Sequence, residues 1–456
     1  MGESTLELAE RALRHTSGDA QVTVVRERSL LSRFARSRPT QATEVDDVTV
    51  SVLALHGGHT GAAETNELSD DALRAAARRS AEAAAAAARA AGEPGDHPGL
   101  PGAAPPRSHD GFDPDTARLD PAAAGGALRA AFETCAAHEL EAFGVWTAGH
   151  VDTAIASSTG QRLRDQVTDA YMKVIARDAD GRTGWGADAA VASGRLDGAA
   201  IARRAGAKVT GDEPVELAPG EYPVVLEADA VGWLLDYLGF LAFNGLAHAE
   251  GRGALDGRLG TRVAASNINL SDSPRFPRTL PRAFDAEGVP KAPIPLIQDG
   301  VAHRVVHDTR SAARAGGGAR STGHATAPGG APSGPHTTNL VLIGGGAADE
   351  HELAAPIERG LYVTRLWYLN VVHEKSTLLT GTTRDGTFLI EDGRITRPVK
   401  DVRFTDEVLR ILEATEALSA QQRLVSEADF YGRRFATGVV CPALRAQGFR
   451  VTGQTV

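Results

Sequence analysis

Three Asp-Gly pairs, each lying between short apolar or β-branched runs, place the strongest constraint on how this chain can fold. They occur at 299–300, 385–386 and 392–393. Asp-Gly readily supplies the positive φ values that two-residue hairpin turns require. The two later pairs separate the runs 377–383, 387–391 and 394–399, for which we predict a compact antiparallel meander. The chain beyond residue 220 is therefore expected to be rich in β-structure.

Strand and helix patterns alternate in the first part of the chain. Val and Thr are frequent over 20–28 and 47–55, and Gly57-Gly58 after the second run predicts a tight hairpin turn. Ser69 is the expected N-cap of an alanine-rich helix that continues to about residue 91. Two aspartates follow Ser69, where the helix dipole favours negative charge.

Residues 92–121 interrupt this alternation. Their Pro, Gly and Ala content is high and they have no hydrophobic periodicity, which is typical of an exposed connecting loop. Further helices are predicted over 121–143 and 198–209. Strands are predicted over 145–175, with a break at 158–160.

The length of the chain favours two domains. At 456 residues it exceeds the roughly 250–300 residues at which a single core stops growing. We predict an α+β protein, with a mixed α/β amino-terminal domain over 1–215 and a β-rich carboxy-terminal domain over 216–456. The second domain is expected to contain a helix over 228–250 and a final helix over 405–418.

Charge and cysteine content exclude several classes of protein. The net charge is -10, and no basic stretch with interleaved aromatic residues is present, so no nucleic-acid partner is expected. The chain has no run of about 20 apolar residues and no leader pattern, so we expect no membrane association and a cytoplasmic location. Cys135 and Cys441 are too few and too scattered for a disulfide framework or a cysteine-rich zinc site.

Four short motifs follow one another in the second half of the chain. They are Asp285-Ala-Glu-Gly-Val-Pro290, Leu296-Ile-Gln-Asp-Gly-Val-Ala302, Thr322-Gly-His-Ala325 and Thr338-Asn-Leu-Val-Leu342. In this order and spacing they resemble the TldD/TldE (PmbA) family of heterodimeric metallopeptidases. The segments 66–69 and 219–226 extend the resemblance over nearly the whole chain. It implies a mixed α/β first domain and a β-rich second domain.

The zinc motif of that family is missing from this chain. In the TldD-type subunit, a helix carries His-Glu-x-x-x-His, in which two imidazoles bind zinc and the carboxylate deprotonates the bound water; a later Cys is a further ligand. Here, if His248 is the second histidine, Phe243 and Asn244 stand in the places of the first histidine and the glutamate. His248 is thus only a weak candidate ligand, and Cys441 is expected to be a buried small side chain. The resemblance then implies a TldE-type subunit with no catalytic residues, no metal ligands and no cofactor of its own.

Thr322, Gly323, His324 and Asn339 are the candidate site residues. The strand-like run from Asn339 follows a Gly/Pro-rich loop and could present its backbone edge to an extended peptide. The resemblance implies that these segments lie near the passage or the interface between the two subunits. From the residues alone, an ordinary loop and a core strand explain the same pattern.

We therefore predict a TldE/PmbA-like, non-metal subunit of a heterodimeric zinc metallopeptidase. Its partner would be a TldD-like subunit that holds the zinc, and its substrates would be unfolded or short peptides that are degraded, or trimmed in a specialised biosynthetic pathway. The alternative is a catalytically silent scaffold or peptide-binding protein that works alone. A neighbouring gene that encodes an intact His-Glu-x-x-x-His motif would favour the first prediction.

Overall fold

The computed structural model of the chain describes residues 3–426 and 432–454. Its first sheet is antiparallel. The strands of this sheet are β1 Asp19–Ala35, β2 Arg38–His56, β3 His59–Thr65, β4 Glu141–Ser157, β5 Arg162–Arg177 and β6 Thr183–Ala190. Their spatial order is β3-β2-β1-β4-β5-β6. The sheet is therefore built from a long hairpin, β1 and β2, with β3 added at one edge and the β4–β6 strands at the other.

Helices cover one face of this sheet. Successive side chains of a strand point to opposite faces, and those on the covered face are apolar. The helices are α1 Thr5–Leu13, α2 Asp70–Ala91, α3 Pro121–Ala136 and α4 Gly198–Gly206. Val22 and Val24 of β1 pack against α1 and α2, and Trp146 of β4 packs against α3 and α4. The intervening residues, such as Thr23 and Val25, point to the opposite face.

The second sheet is mixed and is centred on its longest strand. Its strands are β7 Gly220–Leu226, β8 Leu270–Asp272, β9 Ile294–Gln298, β10 Val301–Ala302, β11 Asn339–Leu342, β12 Arg359–Val363, β13 Leu366–His373, β14 Leu378–Thr383, β15 Thr387–Glu391, β16 Arg394–Pro398, β17 Val402–Glu407, β18 Thr415–Val425 and β19 Gly438–Gln454. The main order is β10-β9-β8-β11-β19-β7-β12-β15-β16, and β13, β14, β17 and β18 branch from it. β19 pairs with β7, β11, β17 and β18, so it joins both parts of the sheet.

Short helices pack around this second sheet. They are α5 Ala228–Ala242, α6 Gly245–Ala249, α7 Thr309–Ala315, α8 Glu350–Ala354 and α9 Val408–Glu413. Leu234, Leu235 and Leu238 of α5 lie in the main apolar core with Leu444 of β19. No helix within the described ranges is both long enough and apolar enough to cross a membrane.

Several predictions from local sequence are confirmed. The α+β class is correct, Gly57 and Gly58 turn β2 into β3, and Ser69 caps α2 by accepting a hydrogen bond from the Ala72 N–H at 3.3 Å. Asp299-Gly300 joins β9 to β10. The connecting loop over 92–121 packs back on the first sheet, since the Gly95 N–H donates to the Gly57 carbonyl at 2.8 Å.

The predicted meander is right in one pairing and wrong in the other: Asp392-Gly393 joins the paired strands β15 and β16 as predicted, but β14 does not pair with β15. β14, β15 and β16 occur close to the expected positions, but β14 pairs with β13 and β17, whereas β15 pairs with β12 and β16. Asp385-Gly386 therefore carries the chain across the sheet instead of closing a hairpin. The Asp385 carboxylate is held there by Arg365 at 2.6 Å and by the Thr183 hydroxyl of the first domain at 2.8 Å.

Two predicted helices are also corrected. The helix expected over 228–250 is divided at Phe243 and Asn244, because Asn244 has extended backbone angles and caps the short helix α6. The helix expected over 405–418 is reduced to α9, with β17 before it and β18 after it. Its four apolar residues, Val408, Leu409, Ile411 and Leu412, are buried.

Candidate functional site

A cavity of about 540 Å³ lies where the two domains meet. One side, the sheet wall, comes from the uncovered face of the first sheet and consists of Thr23, Val25, Ser51, Glu64, Val151, Thr153, Ile155 and Asp165. The opposite side, the loop wall, comes from segments 282–291, 323–328 and 433–435 of the second domain. The cavity has the size of a ligand pocket, for which about 300–1,000 Å³ is usual.

Strand alternation explains the chemistry of the sheet wall. Val24 and Ala154 point to the helices and are fully buried, whereas Thr23, Val25 and Thr153 point to the cavity. Val25 and Thr153 are direct cross-strand neighbours. This wall therefore presents apolar, hydroxyl and carboxylate groups at fixed spacing, the carboxylates being those of Glu64 and Asp165.

The first motif forms a tight acidic turn in the loop wall. The Asp285 carboxylate accepts the N–H groups of Glu287 at 3.0 Å and Val289 at 2.9 Å through Oδ1. Its Oδ2 accepts the Ala325 N–H at 2.9 Å, which ties the turn to the third motif. Gly288 has φ +76°, and a Cβ there would lie 2.8 Å from the Gln161 side chain. The Asp-x-Glu-Gly pattern thus has a local structural cause.

Glu287 is buried behind this turn. Its Oε2 accepts the N–H of Thr309 at 2.9 Å and the hydroxyl of the same residue at 2.5 Å. Burial and the neighbouring Asp285 charge raise the pKa of Glu287 to about 8. Burial also raises the pKa of Asp285, but three backbone N–H groups favour its charged form. The proton that this pair retains near neutral pH is therefore assigned to Glu287.

The acidic turn is fixed to the first sheet by side-chain amides. Gln21 donates to the Ala286 carbonyl at 2.8 Å, and Gln161 donates to the Glu287 carbonyl at 3.1 Å. Asp165 of β5 accepts the Ala283 N–H at 2.9 Å. These contacts set the separation of the two walls.

Gly323 and His324, two of the predicted site residues, line the cavity. His324 is buried, and its Nδ1 lies 2.9 Å from the Thr322 carbonyl. Its Nε2 lies 3.3 Å from Oδ1 of Asp272, in an orientation that does not make a hydrogen bond. Lys291 donates to the Gly323 carbonyl at 2.9 Å and lies 4.0 Å from Asp272. Thr322, a further predicted site residue, does not line the cavity, and its hydroxyl accepts the His307 N–H at 2.7 Å.

Asp272 is the charged centre of this buried cluster. Its Oδ2 accepts the N–H groups of Thr338 at 2.8 Å and Asn339 at 2.9 Å. Burial alone would raise its pKa, but the charges of Lys291 and His324 hold the pKa of Asp272 below its ordinary value. Burial and the Lys291 charge lower the pKa of His324. The cluster is therefore a compact ionic support for segment 322–325.

Asn339, the remaining predicted site residue, is fully buried and does not line the cavity. Its Nδ2 donates to the Leu280 carbonyl at 2.8 Å, two residues before the cavity-lining Arg282. Asn339 therefore supports the loop wall through this hydrogen bond and does not face the cavity. Its role in a peptide passage remains a prediction.

The segment that begins at residue 432 contacts the first sheet. Arg434 donates to both carboxylate oxygens of Asp169, at 2.8 and 2.6 Å, and to the Thr147 hydroxyl at 3.0 Å. Its backbone N–H donates to Glu27 at 2.8 Å. Sequence reasoning missed Arg434, Asp272 and Arg282, which carry no local motif. Lys291 directly follows the first motif, and this position next to the motif could have identified it as a residue of the site.

The residues at the expected zinc positions do not supply a zinc site. Phe243 is fully buried in the apolar core of the second domain. Asn244 uses Oδ1 to accept the N–H groups of Leu246 and Ala247 at 3.0 and 3.1 Å, and its Nδ2 donates to Ser333 at 2.6 Å. Neither residue has a donor atom left for a metal ion.

His248 and Cys441 do not complete such a site. His248 contributes one imidazole, whose Nδ1 is enclosed and lacks a hydrogen-bond partner among the described residues. The buried Cys441 thiol donates to the Ala228 carbonyl at 3.3 Å, and burial raises its pKa, which opposes the thiolate form that binds metal. Across the described ranges, His, Cys, Asp and Glu form no group of three or more that could hold a metal ion.

Two profiles of one protein family match this chain. The PmbA/TldA metallopeptidase C-terminal domain matches residues 219–453, and PmbA/TldA metallopeptidase domain 1 matches residues 20–85. The chain belongs to the PmbA/TldD family. The first match includes the whole loop wall, and the second includes β2, β3 and most of β1.

Curated PmbA/TldD relatives are similar to part of the chain. A protein named "Metalloprotease" from Methanothermobacter thermautotrophicus is 26% identical over 222 residues, which cover 47% of this chain and 48% of that protein. A "Metalloprotease TldD homolog" from Haemophilus influenzae is 25% identical over 238 residues, which cover 51% of this chain and 48% of that protein. The chain thus spans about half the length of the curated relatives it matches.

Solved structures of similar fold cover nearly the whole chain. The crystal structure of TldE from Thermococcus kodakarensis has a TM-score of 0.84 and 19% identity, and covers 98% of this chain and 99% of that one. A Thermotoga maritima protein described as a proposed modulator of a DNA gyrase has a TM-score of 0.80 and 19% identity, and covers 95% of this chain and 96% of that one. At this identity the likeness establishes the fold alone.

Proposed function

We propose that this chain is the non-metal subunit of a heterodimeric zinc metallopeptidase of the PmbA/TldD family. The observation that carries the proposal is the chemistry at Phe243 and Asn244. A buried phenyl ring and an amide committed to capping α6 stand where the zinc-bearing subunit needs an imidazole and a carboxylate. A TldD-like partner would supply the zinc, its ligands and the general base.

The cavity between the two walls is the proposed place for a peptide. The sheet wall offers hydroxyl and apolar groups, and its two carboxylates, Glu64 and Asp165, already contact Arg433 and His109. Such a wall suits an extended main chain of varied sequence. A space of about 540 Å³ admits a short or unfolded segment and excludes a folded domain. Peptides that are unfolded or already short are therefore the proposed substrates of the pair.

The edge strand β13 is the proposed contact with the partner. Its only neighbour in the described sheet is β14, so one row of its backbone groups is unpaired there. Trp367, Tyr368, Val371 and Val372 are exposed, and Tyr368 has 71% of its surface accessible. Exposed apolar side chains beside an unpaired strand edge support association with a second polypeptide.

Metal analysis of the purified chain tests the first part of this proposal. The chain alone should contain no stoichiometric zinc and should hydrolyse no peptide. Co-expression with a TldD-like protein that has an intact His-Glu-x-x-x-His motif should give a stable complex with zinc and peptidase activity. Stoichiometric zinc in the chain alone, lost in His248→Ala, would overturn the assignment.

A matched pair of surface variants tests the proposed contact. Val372→Glu on β13 should abolish co-purification with the partner, because a charge would replace an apolar contact at the strand edge. Ile343→Glu, at another exposed apolar residue with 44% of its surface accessible, should leave co-purification intact. If both variants co-purify with the partner, or if neither does, the proposed contact at β13 is wrong.

A stand-alone peptide-binding protein is the second candidate. One observation favours it: a single chain supplies both walls of the cavity. This candidate predicts peptide binding by the isolated chain and no complex with a TldD-like protein. Calorimetry and pull-down on the same preparation separate the two candidates.

A further inference from the structure

Arg282 is held in the cavity by contacts on both sides of it. The Leu280 carbonyl accepts a hydrogen bond from Asn339 at 2.8 Å, and the Ala283 N–H donates to Asp165 at 2.9 Å. One anchor belongs to the second domain and the other to the first. The backbone around Arg282 is thus fixed at the domain junction, and its side chain lines the cavity.

The other charged side chains that line the cavity are already satisfied. Arg433 pairs with Glu64 at 3.2 Å, and Arg434 pairs with Asp169 at 2.6 Å. Lys291 donates to a backbone carbonyl at 2.9 Å. Of the acidic residues, Asp165 contacts His109 at 2.8 Å, and Asp285 accepts three backbone N–H groups.

Arg282 differs from all of them. Its Nε and Nη2 atoms are enclosed and have no hydrogen-bond acceptor, and no ion pair of Arg282 is found among the described residues. The guanidinium lies over the Phe435 ring, 4.0 Å from its centroid. Asp165 and Asp169 stabilise the cation at longer range, but burial outweighs them and lowers the pKa of Arg282. An arginine stays protonated even so, and a buried cation without a counter-ion is unfavourable.

We propose that Arg282 binds a carboxylate of the peptide in the cavity. This inference rests on the proposed peptide site and names the group that is recognised there. One unpaired cation calls for one negative charge, and each other charged side chain of the lining has a partner. His324 is the remaining polar group without a full set of hydrogen bonds, and its enclosed Nε2 lies beside Asp272. A carboxylate in the cavity supplies the missing negative charge beside the guanidinium, whose third nitrogen, Nη1, is not among the enclosed atoms. A charge-assisted contact of this kind is stronger than a neutral hydrogen bond.

Two sources of the carboxylate are possible chemically, and three peptides distinguish them. The probes share one neutral pentapeptide sequence: the first ends in a free carboxylate, and the second ends in an amide. The third ends in an amide and carries one internal Glu. Binding of each labelled peptide to the full chain is measured by fluorescence anisotropy.

The unchanged chain should bind at least one carboxylate peptide about tenfold or more tightly than the neutral amide. The peptide that shows the preference identifies the source, whether the terminus or a side chain. Arg282→Gln should reduce the preference to about twofold or less and keep the affinity for the amide, and Arg282→Lys should fall between. Arg450→Gln, which removes one exposed charge paired with Glu221 on the second sheet, should keep the full preference.

A stability measurement separates ligand binding from a structural role. Without peptide, Arg282→Gln should have a Tm equal to or above that of the unchanged chain, because an uncompensated buried charge is removed. A marked fall in Tm would assign Arg282 to the folding core and overturn the proposal. Equal binding of all three peptides by the unchanged chain would also overturn it while leaving the peptide site in place. If the unchanged chain binds none of the three peptides, both the carboxylate recognition by Arg282 and the proposed peptide site are wrong.

Discussion

The sheet wall and the loop wall of the cavity are held in place by different forces. Val25 and Thr153 sit in a continuous antiparallel ladder, so backbone hydrogen bonds position them whatever their side chains are. The loop wall has no continuous ladder over 282–291 and 323–328. Separate backbone bonds, such as the one from the Ala286 N–H to the Ala325 carbonyl at 3.1 Å, act there together with buried side chains. Asp272 and Lys291 form the ionic centre of this wall, and His324 packs beside them. The loop wall should therefore be sensitive to single polar substitutions that the sheet wall tolerates.

Removal of Asp272 should have the largest effect. Asp272→Ala leaves the Lys291 ammonium buried without its carboxylate and removes the acceptor for two backbone N–H groups. We expect a loss of about 3–5 kcal/mol in the free energy of unfolding, measured by urea denaturation. Asp256→Ala, which breaks an exposed pair with Lys375, should cost less than about 1 kcal/mol. Similar losses in both variants would contradict an ionic support for the loop wall.

Adjacent arginines provide the next test, because they differ mainly in burial. Arg434→Gln leaves Asp169 unpaired, in a contact where both side chains are at most 7% exposed, and should cost about 3 kcal/mol. Arg433→Gln breaks a pair in which the side chains are 41% and 56% exposed, and should cost about 0–1 kcal/mol. Chemical denaturation of the two variants in parallel gives the comparison. A larger loss in Arg433→Gln would mean that the crossing segment is anchored elsewhere.

The pH dependence of stability should report on Glu287 in the loop wall. Its folded-state pKa of about 8 lies above the ordinary 4.5, so between these values the folded chain holds a proton that the unfolded chain has released. Stability contributed by this group is complete below about pH 4.5 and is lost as the pH rises towards 8. The slope is at most about 1.4 kcal/mol per pH unit.

Glu287→Gln removes this titration. The variant should gain stability relative to the unchanged chain as the pH is raised from 5 to 8, measured by urea denaturation at several pH values. Glu413→Gln, at an exposed glutamate of α9, serves as the control and should show no such trend. A difference that is constant with pH would place the retained proton elsewhere in the acidic turn.

Local turn chemistry predicted part of the fold and failed where distant contacts compete with it. Asp299-Gly300 forms the expected hairpin, whereas Asp385-Gly386 does not, because Arg365 and Thr183 hold Asp385 in another arrangement. The runs 20–28 and 47–55 cover only part of β1 and β2, and the hairpin that joins these two strands was not predicted. Its turn uses Arg36 and Ser37, with φ values of 51° and 54°, and neither residue is a usual signal for positive φ.

The sequence predicted the site residues only where a residue of a recognisable motif also lines the cavity. Gly323 and His324 belong to a recognisable motif and do line the cavity. Arg434 and Asp169 are 265 residues apart in the chain, and Arg282 depends on Asn339 and Asp165 for its position. Contacts of this kind join segments that are far apart in the sequence, so no local sequence pattern predicts them.

The smallest effect is expected on the sheet wall. Thr153 is half-buried at the cavity, and its hydroxyl makes no hydrogen bond with any described residue. Thr153→Val keeps the shape and the β-propensity of the side chain, so the free energy of unfolding should change by less than about 0.5 kcal/mol. The measurement is urea denaturation beside Asp272→Ala, with the same protein preparation and buffer. A loss above about 1 kcal/mol would show that polar side chains also hold the sheet wall, and the contrast between the two walls would then disappear.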